Sequence, residues 1–142
     1  MMRTTIAGIG ALALGLGAAL AQESGRDAGE REYLSACAGC HGRDATGDGP
    51  LAELMNVETP DLTRLAAEAG GAFPFEETLS TIDGRNAVRA HGGEMPVWGD
   101  RYMVVAEREQ DAMRPPRWPE EPEVVVRGRL LSLVYYLESI QE

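Results

Sequence analysis

The pentapeptide CAGCH, Cys37 to His41, contains both cysteines of this 142-residue chain and one of its two histidines. Thiols at this spacing with an adjacent imidazole suit three kinds of site: a redox disulfide, part of a metal site, or the attachment point of a haem. Each kind of site requires a different arrangement of helices and strands around the motif. The motif therefore constrains the fold more strongly than any other feature of the sequence.

The segments on either side of the motif are predicted to be a helix and a loop. Residues Arg26 to Ala38 place Tyr33, Leu34 and Cys37 on one side of a helix, at positions i, i+1 and i+4. The stretch HGRDATGDGP, His41 to Pro50, contains three glycines, two aspartates and a proline, which favour a loop.

This context favours haem attachment over the other two kinds of site. A thioredoxin-like redox pair follows a strand inside a βαβ unit, which the sequence does not predict here. A structural zinc site uses four ligands, and outside the motif only His91 remains to complete one. In haem attachment, both sulfurs form thioethers with the vinyl groups on one porphyrin edge, and the histidine ligates the iron. The predicted cofactor is one covalent haem c, held by Cys37 and Cys40, with His41 as the proximal ligand.

The remaining elements are predicted to be short helices. One opens at Thr59 as its N-cap, a second fits Phe75 to Ile82, and Asp100 to Gln110 could form a third. The last helix begins at Pro122, and its apolar residues recur at i, i+4, i+7, i+8 and i+11: Val126, Leu130, Leu133, Val134 and Leu137. No strand pair and no repeat is evident, so the predicted fold class is all-α.

The segment GGEMPVWGDRY, Gly92 to Tyr102, supplies a candidate for the second axial iron ligand. Met95 lies in an irregular loop, where a methionine is poorly placed to fill a core. A thioether opposite a histidine raises the reduction potential of the iron. Trp98 is a large ring able to close a haem pocket. His91, four residues before Met95, is the alternative ligand and would give a bis-histidine haem of lower potential.

With these residues in place, the chain resembles the class I c-type cytochromes, in particular the small bacterial monohaem members. Gly29 and Tyr33 stand eight and four residues before Cys37, as a glycine and an aromatic residue do in the first helix of that family. Tyr136 and Leu137 are similar to the aromatic–aliphatic pair of the family's last helix, which crosses the first near that glycine.

The loop after the motif extends the resemblance. The stretch GDGPL, Gly47 to Leu51, looks like the family's GDGP loop, and Pro60 to Leu62 look like its loop-to-helix entry beside the haem. In that family the loop proline's carbonyl accepts the N–H of the proximal histidine, so the resemblance implies that Pro50 fixes the tautomer of His41. It also implies a cytochrome c-like fold, with about four to five short helices packed around one covalently attached haem.

The first residues predict export. Residues 1–21 read as a signal peptide, because Arg3 gives a positive start, Ile6 to Leu20 are weakly apolar, and small residues precede a cut after Ala21. The apolar run is shorter than the ~20 residues that span a bilayer, so no stable membrane insertion is expected. Residues 22–142 would then form a single cytochrome c domain. Covalent haem attachment takes place outside the bacterial cytoplasm, so the predicted location is the periplasm.

The charge of the chain indicates its partners. The sequence has 23 acidic residues against 13 basic ones, all arginine, for a net charge of −10. Such a surface repels nucleic acid and anionic membranes and favours a partner with a basic docking patch. We therefore expect redox protein partners, no nucleic acid, and a monomeric chain.

These features predict an electron carrier, not an enzyme: a monohaem cytochrome that moves single electrons between periplasmic redox partners. The alternatives are a dedicated haem c subunit of a dehydrogenase or oxidase complex and, less favoured, a bis-histidine or ligand-sensing haem protein. An extended acidic, proline-rich loop at about residues 103–123, longer than the family's usual link, is the only hint of a complex. Arg85, Arg89 and Arg101 are candidates to pair with a haem propionate.

Overall fold

Six α-helices and two 3₁₀-helices make up the regular structure of residues 25–85, 95–112 and 121–142, which are the residues described in this computed structural model. No strand occurs within these ranges. The helices are α1 (residues 25–36), α2 (Ala38–His41), α3 (Leu65–Glu68), α4 (Phe75–Asp83), α5 (Trp98–Ala112) and α6 (Pro122–Ser139), with 3₁₀-helices at Ala52–Leu54 and Leu62–Arg64. The all-α prediction is confirmed for this part of the chain. The α-helices outnumber the predicted four to five because α2 and α3 are single turns.

Four predictions fall wholly or partly outside the described residues. They are the signal peptide at residues 1–21, the alternative ligand His91, Arg89, and residues 113–120 of the proline-rich loop. Of the helices that are described, none combines the length and the apolar composition that crossing a bilayer takes.

Helix α6 forms the centre of the core. It begins at Pro122, and the five apolar residues predicted to face inward are all buried, together with Tyr136. Helices α4 and α5 pack against α6 and against each other. The predicted apolar stripe of this helix is thus confirmed. Its residues are spaced three and four apart because that spacing places them on one face of a helix.

Helix α1 crosses α6 at a glycine. A side chain at Gly29 would overlap the backbone carbonyl of Ser132 and the Cβ of Tyr136, so only glycine permits this approach. One turn later, the ring of Tyr33 packs against that of Tyr136 with centroids 5.3 Å apart. Leu34, predicted on the same side as Tyr33, is instead exposed. The inward face of α1 follows the spacing of Gly29 and Tyr33, four residues apart.

Helix α5 corrects the predicted extended loop at residues 103–123. The first ten residues of that range belong to α5, which runs to Ala112. Tyr102 and Ala106, one turn apart, are both buried, and α5 packs on α6. The acidic residues of this part of the helix, Glu107, Glu109 and Asp111, are exposed, and the predicted helix over Asp100 to Gln110 is confirmed within α5.

The segment after Pro60 also begins differently from the prediction. Asp61, not Thr59, caps it, because the Asp61 carboxylate accepts from both the backbone N–H and the hydroxyl of Thr63, at 2.9 and 2.6 Å. These hydrogen bonds lower the pKa of Asp61. The chain turns first as a 3₁₀-helix and then as α3.

Candidate functional site

The CAGCH motif forms one compact turn at the end of α1. The carbonyl of Cys37 accepts hydrogen bonds from the N–H groups of Cys40 and His41, at 3.1 and 2.9 Å. Both thiols are free and half-buried. The turn therefore holds two sulfur atoms and one imidazole on a single short stretch of backbone, as the sequence predicted.

The His41 ring is buried, and its Nδ1 lies 3.3 Å from the carbonyl oxygen of Pro60. The family resemblance implied Pro50 in this role, whereas the structure places Pro60 there. Pro50 is exposed, and the N–H of the preceding Gly49 donates to the carbonyl of Cys40 at 3.0 Å. That contact folds the loop back along α2 and leaves Pro50 on the outside.

The loop after His41 packs against the segment that carries Pro60. Gly47 has a φ of 86°, and a side chain there would overlap the carbonyl of Thr59. The N–H of Gly47 donates to the carbonyl of His41 at 2.9 Å, and the N–H of Leu62 donates to the carbonyl of Ala45 at 2.8 Å. Pro60 reaches the imidazole because these contacts join two segments that are distant in sequence.

Tyr33 supports the same turn from the core side. Its hydroxyl donates to the carbonyl of Gly42, the residue after His41, at 2.5 Å, and its side chain is fully buried. Burial raises the pKa of the Tyr33 phenol. The family resemblance predicted an aromatic residue here, but nothing in the sequence indicated that its hydroxyl would bind this carbonyl.

The environment of Cys37 disfavours the thiolate form of its side chain. Burial, then the charges of Glu32 and Cys40, raise the pKa of the Cys37 thiol to about 12. Thiol–disulfide exchange requires the thiolate, which a raised pKa disfavours at neutral pH. This observation agrees with the sequence argument against a thioredoxin-like disulfide.

Of the two residues predicted for the distal side, Trp98 is the first residue of α5 and Met95 precedes this helix. Met95 and Trp98 are partly buried and pack against the same hydrophobic core as Cys37. The Trp98 ring lies 5.7 Å from the ring of Tyr102, and the Arg101 guanidinium sits 5.1 Å above Trp98. The Cys37 end of the motif and the methionine segment therefore border the same hydrophobic core, although Met95 follows Cys37 by 58 positions.

Arg85, one of three candidates for a propionate partner, is paired with two acidic side chains of the protein itself. It forms ion pairs with Asp83 at 2.5 Å and with Glu123 at 2.7 Å. These contacts join the end of α4 to the start of α6. Sequence reasoning missed this arrangement, since 38 residues separate Arg85 from Glu123 and no local pattern connects them.

A second contact that the sequence did not indicate involves Gln141, the residue before the last one. Its side-chain oxygen accepts from the N–H of Ala66 at 2.8 Å, and its NH₂ group donates to the carbonyls of Leu62 and Leu137, at 2.8 and 2.7 Å. The backbone N–H of the next residue, Glu142, donates to the carbonyl of Thr63 at 3.0 Å. Residues 141 and 142 are therefore hydrogen-bonded to the segment that follows Pro60.

None of the protein-family models compared with the chain matches it, and neither does any curated protein or solved structure.

Proposed function

We propose that this chain is a monohaem c-type cytochrome that carries single electrons between redox proteins of the periplasm. The observation that carries the proposal is the turn from Cys37 to His41, where two free thiols and one imidazole share a short stretch of backbone beside the carbonyl of Pro60. A histidine that binds metal usually donates its other ring N–H to a protein acceptor. In this proposal Nδ1 of His41 faces the carbonyl of Pro60, and Nε2 would be the nitrogen that ligates the iron.

The residues fit a covalent haem on three further grounds. The Cys37 sulfur lies at the edge of the hydrophobic core, where an apolar porphyrin edge is favourable. Tyr33 and the Gly47 loop hold the backbone around His41, so the imidazole has a defined orientation. Met95 packs against the same core and can supply a thioether ligand.

In this proposal the haem supplies an iron that gains and loses one electron. Cys37 and Cys40 would hold the group by thioether bonds, and His41 and Met95 would ligate its iron. Pro60, in place of Pro50, orients the imidazole and raises its basicity. Trp98 and its neighbours exclude water from the methionine side. The role requires no acid–base pair and no nucleophile.

The proposed location and partners follow from the sequence. Residues 1–21 would direct export, and the acidic surface would favour a partner with a basic docking patch. A dedicated subunit of a dehydrogenase or oxidase complex remains the alternative, and co-purification with such an enzyme would identify it.

Expression of the full chain in a bacterium that attaches haem in its periplasm tests the proposal. We expect haem to remain bound after acidic organic extraction of wild-type protein, and to be lost from a Cys37→Ala/Cys40→Ala control. The ferric protein should show the far-red absorption band of iron–methionine ligation, unchanged by carbon monoxide or moderate cyanide. Extractable haem, a high-spin spectrum or ready binding of carbon monoxide would contradict an electron carrier.

A further inference from the structure

Three large aliphatic side chains are exposed on the segment that follows the glycine loop. Leu51, Leu54 and Val57 are 47%, 75% and 45% exposed, and Leu54 is the most exposed large apolar residue in the described part of the chain. We call these three residues the 51–57 surface. Single apolar side chains are exposed on every protein, whereas these three lie within seven residues of one another along the chain.

The backbone of this surface is held in place. The N–H of Ala52 donates to the carbonyl of Gly49 at 2.9 Å, and the N–H of Leu54 donates to the carbonyl of Leu51 at 3.1 Å. In a 3₁₀-helix, side chains three residues apart lie on the same side. Leu51 and Leu54 are therefore presented together by a defined turn.

The 51–57 surface borders the CAGCH motif. The N–H of Leu51 donates to the carbonyl of Gly39 at 2.8 Å. A side chain added at Gly39 would lie 3.2 Å from Cδ1 of Leu51, so this leucine lies beside Gly39, one of the two residues between the cysteines. The patch thus adjoins the turn that, in the proposed function, holds the porphyrin edge.

The charges around the patch are mostly negative. Between residues 43 and 58 the chain carries one arginine, Arg43, and four exposed acidic residues: Asp44, Asp48, Glu53 and Glu58. A second copy of the chain would bring two acidic rims together, and an anionic membrane would be repelled. A protein face with an apolar centre and a basic rim is complementary to both features.

We infer that the 51–57 surface is the docking site for a redox protein whose contact face is apolar at the centre and rich in lysine or arginine at the rim. The inference rests on the proposed function, because it makes this surface the route by which electrons leave or enter beside the CAGCH turn. Burial of Leu54 in the encounter complex supplies apolar contact, and the acidic rim supplies orientation and a fast association rate.

Electron exchange between the holo-protein and small cationic complexes tests this surface. Tris(phenanthroline)cobalt(III), which oxidises the ferrous form, combines positive charge with apolar rings, whereas hexaammineruthenium(II), which reduces the ferric form, is also cationic but has no such rings. We expect Leu54→Ser to slow oxidation by the cobalt complex about fivefold, the effect of losing much of one leucine's apolar contact. The rate with the ruthenium complex should not change. Val124→Ser, which alters a side chain 52% exposed on α6, is the matched control and should change neither rate.

The outcomes separate this inference from the proposed function. Failure of the wild-type chain to attach haem overturns the proposed function and, with it, the docking site. Equal rates for haem-loaded wild-type and Leu54→Ser protein with the cobalt complex overturn the docking site alone. A dimer abolished by Leu54→Ser in sedimentation velocity, or vesicle binding that depends on Leu54, would identify a second copy or a lipid surface instead and would also overturn it.

Discussion

The buried hydroxyl of Tyr33, on α1, donates a hydrogen bond to the backbone of the residue that follows His41. Its hydrogen bond to the carbonyl of Gly42 has no water to replace it, because the side chain is fully buried. We expect Tyr33→Phe to lower the free energy of unfolding by about 1–2 kcal/mol, the cost of leaving a buried carbonyl without its donor.

Denaturant unfolding of the holo-protein measures this loss. Tyr135→Phe is the control, because Tyr135 is 54% exposed and its hydroxyl is accessible to water. Equal stabilities of the Tyr33 and Tyr135 variants would contradict the role assigned to the Tyr33 hydroxyl.

The second prediction at residue scale distinguishes the two candidate axial ligands. We expect Met95→Ala to abolish the far-red ferric band and to lower the reduction potential by roughly a few tenths of a volt, within the ~0.8 V range that axial ligands cover. His91→Ala should retain the band. Absence of the band from the wild-type protein, with a ferric spectrum that changes in the His91 variant and not in the Met95 variant, would identify a bis-histidine haem.

At the scale of helices, the crossing of α1 and α6 depends on Gly29. A side chain there must displace the backbone of α6, and we expect Gly29→Ala to cost about 3 kcal/mol. Gly128, on α6, has open space around its α-carbon. Gly128→Ala should stabilise the protein by about 0.5–1 kcal/mol, because alanine is the better helix former. Thermal unfolding of both variants checks the contrast, which would be absent if the helices did not cross at Gly29.

The hydrogen bonds of the Gln141 side chain restrain the segment that carries Pro60. Leu62 is held through its N–H by Ala45 and through its carbonyl by Gln141. Loss of the Gln141 amide should therefore loosen the chain on one side of the Pro60–His41 contact. A weaker contact at Nδ1 makes the imidazole a poorer electron donor to iron, which favours the ferrous state.

We accordingly expect Gln141→Ala to lower the free energy of unfolding by about 2 kcal/mol and to raise the reduction potential. Ser139→Ala is the matched control at the same end of α6, since Ser139 bonds only to Tyr136 and Arg26 among the contacts described and does not touch the Pro60 segment. A potential unchanged in the Gln141 variant would assign this side chain to stability alone.

For the whole molecule, the ion pairs around Glu123 link the end of α4 to the start of α6. Arg85 and, to a smaller extent, Arg127 lower the pKa of Glu123 from its ordinary value of 4.5 to about 2. Because the pKa is depressed in the folded state, the stabilisation is present above pH 4.5 and is lost as the pH falls through 2.

Comparison of wild-type protein with Glu123→Gln over this pH range measures the effect. We expect the wild-type advantage in unfolding free energy to be constant near neutral pH and to shrink between pH 4.5 and about 2. Glu138→Gln, at an exposed glutamate of the same helix, provides the control. A wild-type advantage that persisted at pH 2 would exclude ionised Glu123 as its source.

Local patterns in the sequence were sufficient to predict the helices and turns that depend on neighbouring residues. The stripe of α6, the extent of α4 and the single turn at CAGCH follow from spacing, from glycine and proline, and from the short reach of backbone hydrogen bonds. The Gly29 crossing was implied by family resemblance and agrees with the contacts of Ser132. The haem, its distal ligand and the partner remain predictions on the same sequence evidence.

Other contacts depend on how distant segments meet, and the sequence contains no local sign of them. Pro60 rather than Pro50 faces His41, because the glycine loop folds back on α2 and brings Thr59 beside Gly47. The contacts of Gln141 with the Pro60 segment span 75 and 79 residues. The sequence by itself therefore determined which chemical groups the motif carries and the spacing of the apolar residues along the helices. Only the tertiary structure decided which backbone groups surround that motif, since hydrogen bonds between remote segments depend on the path of the whole chain.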